Sequence, residues 1–270
     1  MKFLFVLIAL LWATSTAAQT SSVAILTKMS EADVVILGEI HDNPDHHRYQ
    51  AKTIARLRPR AVVYEMLTRD QAARVTPDLA AETEALRVAL DWDTSGWPDF
   101  SHYAPLFAAH PLAMVYGAHV PRDVARQSME TGLAAAFGEE ASVYGLTEPL
   151  PEAERAARQA MQKSAHCDAL PDEMLAPMVD IQRLRDAALA RAVVEALNDS
   201  GPPVVVITGN GHARKDWGLP VYLQRLRPEI GVFTLGQAEE GVQIEGAFDA
   251  VVSAPPVRRD DPCAALRKDG

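Results

Sequence analysis

Apolar residues fall along this chain in short unbroken runs, and the stretches between them carry helical periodicity. Val34-Val35-Ile36-Leu37 and Val204-Val205-Val206-Ile207 are the clearest runs. Each is rich in β-branched residues, ends at a Gly-containing turn, and then presents a His. A run of about five such residues fits a strand covered on both faces, as in a parallel sheet. The pattern predicts strands over 33–37, 61–65, 112–116, 204–208 and 231–235, with short edge pieces over 242–245 and 250–253. Asn43-Pro44 marks a helix start, with Asn at the cap, Pro at the first helical position and Asp45 in the first turn. That helix runs to about 58, where Pro59 stops it. Residues 68–90 read as mostly helical with a break near Pro77, and 91–111 as Pro-linked turns around two Trp. Residues 122–200 hold helix formers and no convincing strand, with the longest helix over 177–198.

Strands alternating with helices imply an α/β fold, a mainly parallel sheet flanked by helices, with right-handed crossovers. The 122–200 segment is too long for one crossover and is expected to cap the ligand edge of the sheet. In such sheets ligands collect past the carboxyl ends of the strands. Glu39, His41 and His212 are therefore expected to face one crevice.

Residues 1–18 stand outside this pattern. A short positive start, a ten-residue apolar run from Phe3 to Trp12 and small residues ending Thr16-Ala17-Ala18 read as a cleavable export signal. Residues 19–270 then form a single domain located in the periplasm or secreted. No later segment has about 18 uninterrupted apolar residues, so no stable membrane insertion is expected. Hydrophobic residues make up 48% of the chain, enough for a sizeable core. The net charge of −10 speaks against a nucleic-acid partner, because an acidic chain is repelled by phosphate backbones. Clustered Arg residues still leave room for a local anion pocket. The two cysteines, Cys167 and Cys263, form an even pair, which in an exported chain favours a disulfide over two free thiols. Its closed loop would contribute roughly 4–5 kcal/mol at most by chain entropy.

The candidate chemistry sits at the strand ends. Glu39 and His41 are two apart in extended backbone, so their side chains point the same way. Such a pair either ligates a divalent metal or shares a proton as an acid and base. Glu65 ends strand two and neighbours Glu39 in space if these strands are adjacent; two buried carboxylates need a cation to stay charged. His46, His47 and Gln50 share one helical turn, and a His pair there is the donor type a porphyrin iron takes. Gly209-Asn210-Gly211-His212 lacks the Lys and Ser/Thr of a phosphate loop. Its glycines are expected to allow a positive-φ turn that aims His212 into the crevice. Gln182, Arg185 and Asp186 share a helical face, whose simplest reading is solvated charge.

Taken in order, these motifs resemble the ChaN family of bacterial haem-binding proteins. The resemblance rests on Leu37-Gly38-Glu39-Ile40-His41-Asp42-Asn43, His46-His47-Arg48-Tyr49-Gln50, Tyr64-Glu65-Met66, Trp97-Pro98, Tyr103-Ala104-Pro105-Leu106, Gly117-Ala118-His119-Val120-Pro121-Arg122, Gln182-Arg183-Leu184-Arg185-Asp186, Gly209-Asn210-Gly211-His212-Ala213 and Gly218-Leu219-Pro220. It spans about residues 31–225. It implies a Tiki-superfamily fold and an exported, iron-regulated protein that binds haem in haem and iron uptake. Haem ligands and propionate partners are then sought among His46, His47, Tyr49, His166, Arg122, Arg185 and Arg214, and a homodimer over haem is one way to bury it. The wider superfamily also contains hydrolases. On that alternative Glu39, His41, Glu65 and His212 form a metal-dependent or acid/base catalytic set. Two departures stand out: there is no lipid-acceptor Cys at the signal end, and His119 occupies a position where Asn is expected.

Overall fold

In a computed structural model, described for residues 22–261, 263 and 264, six strands form one all-parallel sheet. The strands are β1 (Val34–Glu39), β2 (Ala61–Tyr64), β3 (Met114–Gly117), β4 (Val204–Gly209), β5 (Val232–Glu239) and β6 (Ala250–Ala254). Their order across the sheet is β3-β2-β4-β1-β5-β6. Every residue of β1, β2 and β4 is buried, which is why these strands read as unbroken apolar runs. The expected signal segment, 1–18, lies outside the described residues.

Alternate residues of each strand feed two cores. Val34, Ile36, Ala61, Val63, Val204 and Val206 face one layer of helices, and Val35, Leu37, Val62, Tyr64, Val205 and Ile207 face the other. The second layer holds α1 (residues 22–30), α2 (Pro44–Leu57), α3 (Arg69–Ala73), α4 (Pro77–Ala80), α5 (Thr83–Ala89) and α6 (Phe100–Ala108). The first layer holds α7 (Arg122–Thr131), α8 (Leu133–Phe137) and α10 (Asp172–Ser200), and α9 (Glu152–Ala165) packs on α10. Two more helices follow β4, namely α11 (Asn210–Ala213) and α12 (Leu219–Leu226).

The start of α2 follows its sequence signature: Asn43 accepts the Asp45 N–H at 3.0 Å and Pro44 opens the helix. Three elements differ from expectation. Residues 100–108 are helical despite Pro105, because Tyr103, Leu106 and Phe107 are buried against the second core. Residues 242–245 form no strand; Ile244 instead covers the glycine surface of Gly236. The longest helix begins at Asp172, so Pro177 sits inside it.

Helix α10 both seals a sheet face and reaches the ligand edge. Leu184, Ala187, Ala190, Val193 and Ala196 lie in the first core, while Gln182, Arg185 and Leu189 line a cavity at the strand ends. Cys167, in the α9–α10 turn, is disulfide-bonded to Cys263. That tail also crosses the start of α2. Arg259 bridges Asp42 and Glu239, with donor–acceptor distances of 2.6–2.8 Å.

Candidate functional site at the strand ends

Strand register assembles the site. Glu39 lies opposite Gly209, and Tyr64 opposite Ile207, so β1, β2 and β4 end nearly level. Glu65, one residue past β2, therefore meets the end of β4. It accepts hydrogen bonds from the Thr208 hydroxyl at 2.6 Å and the Gly209 N–H at 2.8 Å.

Two acid–histidine groups stand side by side. In the first, Glu39 pairs with His41 Nδ1 at 2.7 Å and accepts from the Tyr103 hydroxyl at 3.0 Å. In the second, His212 Nδ1 meets Asp186 at 2.6 Å, while its Nε2 faces Glu65 at 3.6 Å. Burial pushes the Glu39 carboxyl up, but His47, His41 and Gln50 outweigh it and the group stays below the usual carboxylate range. Burial likewise opposes ionisation of Glu65; His212, His41, Thr208 and the Gly209 amide prevail and hold it at about 2. The histidines move the opposite way. Burial disfavours the His41 cation, yet Glu39, Glu65 and Asp42 raise it to about 9. His212 is also raised, as Glu65 and Asp186 overcome its burial, whereas desolvation pushes Asp186 up. At neutral pH the His41 ring is imidazolium.

A cavity of about 280 Å³ opens on these groups. Its wall adds Trp97, His119, Arg122, Gln182 and Arg185. The Trp97 ring meets the His41 ring edge-on at 4.9 Å and the His119 ring at 5.7 Å. Neither Arg122 nor Arg185 has a hydrogen-bond or ion-pair partner among the described residues. With His41 charged beside Arg122 and Arg185, and Glu65 opposite them, the wall carries more positive than negative charge and suits an anion.

The structure brings Glu39, His41, Glu65 and His212 to this one edge. It places other expected site residues elsewhere. His46 is fully buried; Nδ1 accepts from the Ile40 N–H at 3.0 Å, so Nε2 carries the proton and donates to the Ala238 carbonyl at 3.2 Å. His47 is also buried, with Nε2 on the His41 carbonyl at 2.8 Å and Nδ1 3.3 Å from Glu39. Neither ring lines the cavity. Tyr49 packs half-buried on the second core. His166 caps the end of α9, its Nδ1 on the Gln162 carbonyl at 2.8 Å. Arg214 is paired to Asp216, lies 3.8 Å from the Trp217 ring centre and lines a smaller cavity of about 50 Å³. Only Arg122 and Arg185 of the expected haem set face the main cavity.

Among the described residues no three His, Cys, Asp or Glu side chains are grouped to hold a metal ion. Two readings are corrected. Gly209 has φ −62° and starts a short helix, so no positive-φ turn is involved. What Gly209 provides is space: a Cβ there would lie 3.0 Å from His41 Nε2. The Gln182–Asp186 stripe is no solvated charge run. Its spacing with Leu189 (i, i+3, i+4, i+7) is the signal that it turns one face inward. Tyr103 and Trp97, which complete the site, came from a segment expected to be turns.

The fold and this edge define a parallel α/β protein with a polar ligand pocket at its strand carboxyl ends. The chain belongs to the ChaN family, described as haem-binding uptake proteins of the Tiki superfamily; the family's sequence model matches residues 25–223. Among solved structures it is similar to ChaN of Campylobacter jejuni, a protein described by its cofacial heme binding. That match has 19% identity and a TM-score of 0.60, and covers 82% of this chain and 87% of that one. The type III effector HopBA1 is similar at 15% identity and a TM-score of 0.45, with 85% of this chain and 91% of that one covered. No curated protein matches the chain by sequence.

Proposed function

We propose that this protein binds haem at the strand-end cavity, in the exported compartment, as part of haem and iron uptake. The observation that carries this reading is the pair of unpartnered guanidiniums, Arg122 and Arg185, on a wall that also holds an aromatic ring and a free imidazole. The residues present fit the group: guanidiniums suit propionates, Trp97 and Leu189 suit a flat apolar ring, and a His suits iron. Bound haem would supply the iron; the chain's residues orient it and neutralise its carboxylates. The Cys167–Cys263 bond fits an oxidising compartment. Among the described residues no helix is long and apolar enough to cross a membrane. A homodimer closing over the cavity mouth belongs to the same reading. The test is a hemin titration followed in the Soret region. Wild type is expected to saturate near one hemin per chain, and Arg122→Ala with Arg185→Ala to bind at least roughly tenfold more weakly, the scale of one charge-assisted contact. No spectral shift with wild type removes the haem reading.

A second reading is favoured by the two acid–histidine groups opening on one cavity: an acid/base hydrolase using Glu39, His41, Glu65 and His212. His41, with a pKa near 9, is a proton donor at neutral pH and fits protonation of a leaving group better than activation of water. An ester panel that shows turnover in wild type and none in His41→Gln supports it; turnover equal in both removes it.

A further inference from the structure

Resting on the haem reading above, we propose that His119 is the residue of this chain that ligates the haem iron. His119 follows β3 and its backbone N–H donates to the Leu67 carbonyl at 2.7 Å, which fixes its place at the strand end. Its side chain is half-buried, and neither ring nitrogen has a protein partner among the described residues. It lines the main cavity and also two adjoining ones, of about 150 Å³ and 310 Å³. On one side the neighbouring wall holds Val124, Ala136, Phe137 and Ala188, with Arg69, Arg191 and Glu195 beside them. On the other stand Trp97 and the free guanidiniums of Arg122 and Arg185. An amphiphilic, flat, anionic ligand would find at His119 the boundary between its two kinds of surface.

The other histidines are held by partners or lie away from these cavities. His46 and His47 are closed in beneath α2. His110 is buried on the Tyr64 hydroxyl, at 2.6 Å, near the start of β3. His166 sits at the end of α9, and His102 lines none of these three cavities. His41 and His212 do face the cavity, but carboxylates already hold them: His41 Nδ1 lies 2.7 Å from Glu39, and His212 has Asp186 at 2.6 Å on Nδ1 and Glu65 at 3.6 Å from Nε2. Burial, Arg185 and Arg122 disfavour the His119 cation, although Glu65 opposes them. Its free imidazole nitrogen would hold the iron in place of the water or hydroxide that ferric hemin carries, an exchange that needs no oxidant or reductant.

The experiment compares hemin complexes of wild type, His119→Ala, His119→Asn and Tyr49→Phe by Soret position, electron paramagnetic resonance and affinity. Circular dichroism of the apo forms checks folding, and the near-isosteric Asn variant guards against a collapsed Ala variant. Both His119 variants are expected to lose the wild-type spin-state signature and at least roughly tenfold in affinity, with added imidazole restoring the wild-type spectrum in His119→Ala. A wild-type spectrum retained in both variants overturns the proposal while leaving haem binding intact. A spectrum that changes only in Tyr49→Phe overturns it also. No hemin binding by wild type is a different failure, that of the haem reading itself.

Discussion

His46 and His119 lie in similar places in the chain's plan, each a few residues past the carboxyl end of an inner-sheet or edge strand, yet one is sealed and the other open. His46 has both nitrogens bonded to backbone, to Ile40 and Ala238, and ties α2 to β1 and β5. His119 has both nitrogens free and a cavity in front of it. A histidine's chemistry is thus set by what already completes its hydrogen bonds, not by its proximity to a motif. A ring that closes two backbone groups is a fastener, and a ring with spare capacity is available to a ligand.

The largest expected effect lies where the sealed and open sets meet. Glu39 pairs with His41 on the open side and faces His47 on the closed side. Glu39→Ala leaves the His41 ring and the Tyr103 hydroxyl without their acceptor, and is expected to cost about 3–5 kcal/mol in urea unfolding, the usual loss when one partner of a buried pair is removed. A loss under about 1 kcal/mol would show that the two sets are not joined through this carboxylate. Next comes His46→Ala, which strands one buried donor and one buried acceptor. It should cost about 2–4 kcal/mol yet leave the hemin spectrum of the folded protein as in wild type. A stable variant with an altered spectrum would erase the contrast with His119. The smallest effect is on pH dependence. His41 is raised from 6.5 to about 9, so its contribution is complete below pH 6.5 and is lost as pH rises through 9. Glu65 is depressed from 4.5 to about 2, so its contribution is present above pH 4.5 and is lost as pH falls through 2. Stability from this site should therefore be greatest between about pH 4.5 and 6.5 and decline on both sides. A His41 resonance titrating near 6.5 by NMR would contradict the alkaline half.

Much of the frame was legible because burial on both faces imprints unbroken apolar runs, and because Asn43-Pro44 is a local signal with a local cause. The convergence of Glu39, Glu65 and His212 followed from the same logic, since parallel strands end on one side. What was not legible depended on distant partners. Nothing near His46 in sequence announces the Ala238 carbonyl, and nothing near Asp42 announces Arg259. Helix α6 was hidden by Pro105, a local signal overruled by the burial of Tyr103, Leu106 and Phe107. The α10 stripe was visible as a period but its charges drew the eye to solvent.

The position of β1 has a consequence for how the molecule is made. This inner strand pairs only with segments far downstream, Val34 with both Val204 and Val232. A chain emerging from a ribosome or a translocation channel carries β1 with no neighbour until most of the polypeptide is out. Such non-local pairing slows folding and delays it to the end of synthesis. Arg259 and Cys263 arrive later still, and they fasten Asp42, Glu239 and Cys167 in place. The same topology that hides the site's parts from one another in sequence postpones the pairing of the central strand until the end of synthesis.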